Sequence, residues 1–113
     1  MRGLATAISV LAILVICGCA GNQPSTDCDK ILKKAERDDC QYNKSMFMMS
    51  SVECTNIQNE TMKRDCIDQI GVRLLDYIPC KQQDKSSTKD GCEAKVSAAR
   101  KKAKEANPNI RLP

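Results

Sequence analysis

Six cysteines fall at positions 28, 40, 54, 66, 80 and 92, separated by steps of 12, 14, 12, 14 and 12. The alternation is a period of 26 present three times, and a fixed internal period of this length marks a repeat architecture whose unit is one supersecondary element. Laying residues 28–53, 54–79 and 80–105 over one another extends the match beyond cysteine. Ile31 shares a column with Ile57, Arg37 with Lys63 and Lys89, Asp39 with Asp65, and Ala35 with Thr61 and Ser87. A chain of 113 residues allows one small domain, and a domain this size often needs covalent staples because it buries a modest fraction of its surface.

Each repeat reads as a short helix, a turn and a longer helix. Asp27, Ser51 and the Pro79 that suits a first helical position start the short helices, and Asn59 breaks the second one. Longer helices are expected to begin near Ala35, Thr61 and Ser87. In the third, Cys92, Val96, Ala99, Ala103 and Ala106 follow at steps of four and three; in the second, Cys66, Ile70, Leu74 and Tyr77 do the same.

Twelve residues on one unbroken helix would set two sulfurs roughly 120° apart around the axis and about 18 Å apart along it, too far for a disulfide. A hairpin brings them together, which points to Cys28–Cys40, Cys54–Cys66 and Cys80–Cys92. Spacing also permits Cys40–Cys54 with Cys66–Cys80, an arrangement that strands Cys28 and Cys92. Each closed loop contributes about 2–3 kcal/mol on the chain-entropy account. The unit resembles twin-cysteine helical hairpins such as the C-x9-C family, with a different spacing, and the resemblance implies no function. The expected fold is all-α: a small disulfide-stapled array of three helical hairpins over residues 28–106, with 107–113 as a flexible tail.

The other two cysteines lie in the apolar start. Arg2 supplies a positive n-region and Leu4 to Ile16 an apolar stretch, too short to cross about 30 Å of hydrocarbon. Ile16-Cys17-Gly18-Cys19 resembles the bacterial lipobox. The resemblance implies that residues 1–18 are a signal peptide and that Cys19 becomes the acylated N-terminus. Several acyl chains at about 0.8 kcal/mol per buried methylene hold a protein on a bilayer. In a Gram-negative cell the resemblance further implies that Ala20, rather than Asp, after the cysteine favours export to the outer membrane, facing the periplasm. Residues 19–27, with Gly21, Pro24 and no large apolar side chain, read as the lipidated tether.

Composition narrows the chemistry. There is no histidine, so the commonest general base and metal ligand is missing, and Tyr42, Phe47 and Tyr77 are the only aromatic residues. A net charge of +4, with acids interspersed, falls well short of a nucleic-acid-binding domain. Evenly spaced cysteines without C-x-x-C in an oxidising compartment are structural, so no metal site and no cofactor beyond the lipid on Cys19 is expected. Met46, Met48 and Met49 around Phe47, with Met62, suit core filling, partner contact or Cu(I). Asp38, Asp39, Glu53, Glu60 and Asp65 read as solvated surface charge. Lys95, Arg100, Lys101, Lys102 and Lys104 make the third long helix basic. No catalytic motif is present.

The expectation is therefore a non-catalytic protein-binding module of inhibitor, immunity or exclusion type, held on the bacterial cell envelope and meeting an envelope protein. The alternative is a structural envelope lipoprotein that self-assembles or binds cell-wall polymer through Arg100, Lys101 and Lys102. Copper handling by the methionines is the third reading.

Overall fold

A computed structural model describes residues 27–113. The expected signal segment 1–18 with Cys17, the expected lipid acceptor Cys19 and the expected tether up to residue 26 lie outside the described residues. Within them the chain is all helical: a first 3-10 turn (Cys28–Lys30), α1 (Lys34–Met48), α2 (Ser51–Cys54), α3 (Glu60–Leu74), a second 3-10 turn (Ile78–Gln82) and α4 (Ser86–Ala106). The three long helices start at 34, 60 and 86, so the 26-residue period governs backbone as well as cysteines. The short arms are one turn each, two of them 3-10.

Disulfides join Cys28 to Cys40, Cys54 to Cys66 and Cys80 to Cys92, with Cα separations of 5.6, 5.8 and 5.5 Å. Each ties a short arm to the long helix that follows it. Neighbouring long helices meet through residues about one repeat apart: Tyr42 with Asp65, Asp68 with Lys95, and Arg100 with the Leu75 carbonyl. Pairing at this offset along their length means that α1, α3 and α4 run side by side in one direction. Helix α3 lies in the middle, touching every other helix, whereas α1 and α4 do not approach one another.

The core is built from the disulfides and a few branched aliphatics. Ile57, Ile67, Ile70 and Val96 are fully buried together with Cys54, Cys66, Cys80 and Cys92, and Tyr42, Met46, Met62 and Val72 pack against them. Cys28 is buried outside that cluster. The predicted stripes hold only part of the way. Leu74 and Tyr77 are exposed, and in α4 Ala99 and Ala103 are half-buried and Ala106 exposed. In α4 the reason is length: α3 ends at Leu74, the repeat equivalent of Arg100, so no neighbouring long helix covers the last turns of α4.

Helix ends explain how the chain turns. Met49 and Leu75, 26 residues apart, both take left-handed φ of 50° and 53° and stop their helices. Asn59 is the N-cap of α3, its side chain accepting from the Met62 N–H at 3.0 Å, and so begins the long helix rather than merely breaking the short one. Ser51 is the first residue of α2, with Ser50 at the cap and no side-chain capping bond; Pro79 sits in the first turn of the second 3-10 segment.

One expectation is overturned here. Asp38 is not solvated surface charge but 2% exposed, and its carboxylate accepts from the Gln58 and Asn59 N–H groups at 2.9 and 3.0 Å. It holds the segment entering α3 against α1, which is what a buried carboxylate with two backbone donors does well. The residues after α4 fold back on it: the Ile110 N–H reaches the Asn107 carbonyl at 3.0 Å, and the Arg100 guanidinium donates to the Pro113 backbone oxygen at 2.8 Å.

Two stability tests follow from this packing. Asp38→Ala strands two backbone donors and costs about 2 kcal/mol, measured by urea unfolding; an unchanged midpoint would show that water satisfies them. Gly71 and Gly91 form a matched pair. A Cβ on Gly71 would sit 3.0 Å from Val96 Cγ2 and 3.3 Å from the Asp76 carbonyl, whereas one on Gly91 meets nothing. Gly91→Ala is therefore expected to stabilise by about 0.5–1 kcal/mol and Gly71→Leu to destabilise by about 1–3 kcal/mol in the same assay.

Candidate functional site

Parallel helices at constant offset leave grooves between them, and two of these are open and lined largely by residues with polar ends on apolar stems. The first lies between α1 and α3 and has a volume of about 690 Å³. Asp39, Tyr42 and Asn43 line it from α1; Asn59, Thr61, Met62 and Asp65 line it from the start of α3. The second, about 340 Å³, lies between α3 and α4 and is lined by Arg64, Asp68, Gln83, Thr88, Gly91 and Lys95, with Thr61 and Asp65 on its ridge. Shifting Asp39, Tyr42, Met62 and Asp65 by 26 gives Asp65, Asp68, Thr88 and Gly91, all of which line the second groove. Four of the seven positions that line the first groove thus recur in the second at the repeat offset.

Their chemistry differs. Between α1 and α3 the lining carries two carboxylates and no base. The Tyr42 hydroxyl donates to Asp65 at 2.8 Å, crossing the groove. Its pKa is pushed up to about 12, first by burial of the phenol, then by the hydrogen bond to Asp65 and by that carboxylate's charge, against a smaller pull from Arg73. Between α3 and α4 the charges are matched. Asp68, buried, accepts from the Gln83 amide at 2.9 Å and pairs with the Lys95 ammonium; Gln83 also donates to the Arg64 carbonyl at 3.2 Å. This network is the second junction's counterpart of Asp38: a polar bridge that locks one repeat on the next.

The sequence-derived candidates scatter. Met46 and Met62 are half-buried against the core, Met48 is exposed, and Met49 is the left-handed helix stop, so the four take up different surroundings. On α4, Lys95 pairs with Asp68, and Arg100 donates to the Leu75 carbonyl at 2.9 Å while stacking 4.9 Å from the Tyr77 ring centroid. Lys101, Lys102 and Lys104 remain exposed. Glu53 pairs with Lys44 at 3.2 Å, and Glu60 with Lys63 at 3.1 Å. Among the described residues no three histidine, cysteine, aspartate or glutamate side chains are placed to share a metal ion, and no helix is long and apolar enough to cross a membrane.

Sequence reasoning missed Asp68 and Gln83, and with them the second groove. Asp68 shares its column with Tyr42 and Ala94, so the repeat gave it no signature. The Asp39–Asp65 column was the available pointer, since it marks the same edge of both grooves. No protein-family model matches the chain, and no curated protein or solved structure matches it either.

Tyr42 offers a direct probe of the first groove. In a Tyr77→Phe background, tyrosinate absorbance should rise only near pH 12, and Asp65→Asn should bring the transition back toward the usual tyrosine range. Because folding favours the neutral phenol, this contribution to stability is complete below about pH 10 and is lost as pH rises toward the folded value, since the unfolded chain ionises first. A Tyr42 transition at about pH 10 would mean that the groove is open to water.

Proposed function

We propose that this protein is a lipid-anchored, extracytoplasmic binding module without catalytic activity, and that it engages an envelope protein through the paired grooves of α1, α3 and α4. The observation that carries the reading is the recurrence of four groove-lining positions at a 26-residue offset on a scaffold pinned by three disulfides. A pre-ordered face loses little entropy on association. The lining supports a protein as the ligand. Tyr42, Met62 and Arg64 belong to the residue types enriched at protein interfaces, and they stand among polar side chains on an open groove rather than in an enclosed apolar cavity.

The anchor rests on Ile16-Cys17-Gly18-Cys19, and removal of residues 1–18 with acylation of Cys19 would place the domain on a bacterial membrane, the outer one by the Ala20 criterion. An inhibitor, immunity or exclusion role fits a face of this kind held close to a membrane. Contact with wall polymer through Arg100, Lys101 and Lys102 draws less support, because Arg100 is committed to the Leu75 carbonyl and the Tyr77 ring.

Two measurements test the reading. Mass spectrometry of protein extracted from membranes should find residues 1–18 missing and acyl groups on Cys19; an intact, unmodified N-terminus rejects the anchor. A photo-crosslinking residue at position 43, in the groove, should yield one discrete adduct with an envelope protein in living cells, while the same residue at position 29, exposed on the first 3-10 turn, should not. Equal labelling from both positions, or turnover of a substrate by the purified chain, rejects the binding face.

A further inference from the structure

The large apolar side chains left exposed are not scattered. Among the described residues, Phe47, Met48, Val52, Leu74, Tyr77 and Ile78 lie at the C-terminal ends of α1 and α3 and on the short arms that follow, with Leu32 alone elsewhere. Phe47 is 68% exposed, Val52 60% and Ile78 61%, far beyond what a domain with a few buried aliphatics has to spare. The repeat orders them. Met48 and Leu74 are one period apart, as are Val52 and Ile78, and α2 rests against the second 3-10 turn, so the two pairs form a continuous row. In the third repeat the same two columns hold Arg100 and Lys104, with exposed Lys101 beside them. The row therefore runs from apolar to basic where Tyr77 shares a surface with Arg100, Lys101 and Lys104, and the acids beside it are Glu53, paired with Lys44, Asp76, which accepts from the Ile78 N–H at 3.0 Å, and exposed Glu105 on that same surface.

We infer that this row is the surface on which the domain rests against an anionic lipid bilayer. Apolar side chains enter the headgroup boundary while flanking lysines reach lipid phosphates, the combination by which a peripheral element lies on a membrane. The inference rests on the anchor reading above, and the geometry of the anchor favours it. Cys28 is bonded to Cys40, which lies about 12 Å from Met48 along α1 at 1.5 Å per residue. Residues 20–27 reach about 26–29 Å when extended, so a lipid on Cys19 lets the row meet the bilayer. In that pose the middle of α1 and the N-terminal half of α3, which carry the first groove, lie back from the membrane-facing row and open toward a partner.

The chain has no tryptophan, so a single replacement gives an unambiguous fluorescent reporter. The lipidated protein beginning at Cys19 and carrying Phe47→Trp is reconstituted into vesicles of phosphatidylethanolamine and phosphatidylglycerol (3:1) with brominated acyl chains. Bromine should quench Trp emission from position 47 but not from position 35, an exposed site in the first turn of α1. Lys101→Ala and Lys104→Ala should each lower the docked-to-free ratio about fivefold. Unquenched emission from position 47 in protein that stays with the vesicles overturns the inference and leaves the anchor standing. A blue-shifted but unquenched emission overturns it too, since the row is then covered by protein, a second copy included. Protein that stays in the aqueous phase overturns both.

Discussion

Everything in this fold depends on the covalent link between the foot of each short arm and the second turn of the long helix beside it. A single turn of 3-10 or α-helix has no stability of its own, because nucleation costs more than so few hydrogen bonds return. Tied at a 12-residue separation to a fifteen-residue or longer helix, it becomes a fixed strut. Its neighbours can then be stacked on it with little apolar material. Ile57, Ile67, Ile70 and Val96 complete the core because cystine sulfurs fill the space that large side chains occupy in an unlinked domain.

Where covalent chemistry is that regular, sequence carries the architecture. The hairpin unit and the onset of the long helices were legible to within a residue, because cysteine spacing and apolar stripes both report the same period. What was not legible lies between repeats. Asp38 looks like any acid in a helix beside Arg37 and Asp39; only the approach of the 58–59 backbone makes it a buried acceptor. Gln83 occupies the column of Ile31 and Ile57, and its burial depends on Asp68 arriving from another helix. Such polar bridges are tertiary facts without a local signature. The grooves were hidden for the same reason: each takes residues from two repeats, and a column alignment shows one repeat at a time.

The two surfaces divide the molecule along its helices. Hydrogen-bonding groups of the first groove gather at the middle of α1 and the start of α3, whereas exposed apolar and basic ones gather at the C-terminal ends and on the short arms. A translation-related array makes this segregation natural, because a property placed at one register is copied along the whole row. The copies then diverge at the third repeat, where Leu74 and Ile78 give way to Arg100 and Lys104. The change of chemistry coincides with a change of backbone, since α4 runs on to Ala106 where α1 and α3 stop and turn.

That α1 and α4 never touch has a thermodynamic consequence. Coupling in such an array passes only between neighbours, so the molecule behaves as a one-dimensional chain of three cooperative units rather than as a single all-or-none globule. Its middle member sustains two interfaces and each outer member one. Opening should therefore begin as fraying at the flanks, with α3 exchanging its amide hydrogens last.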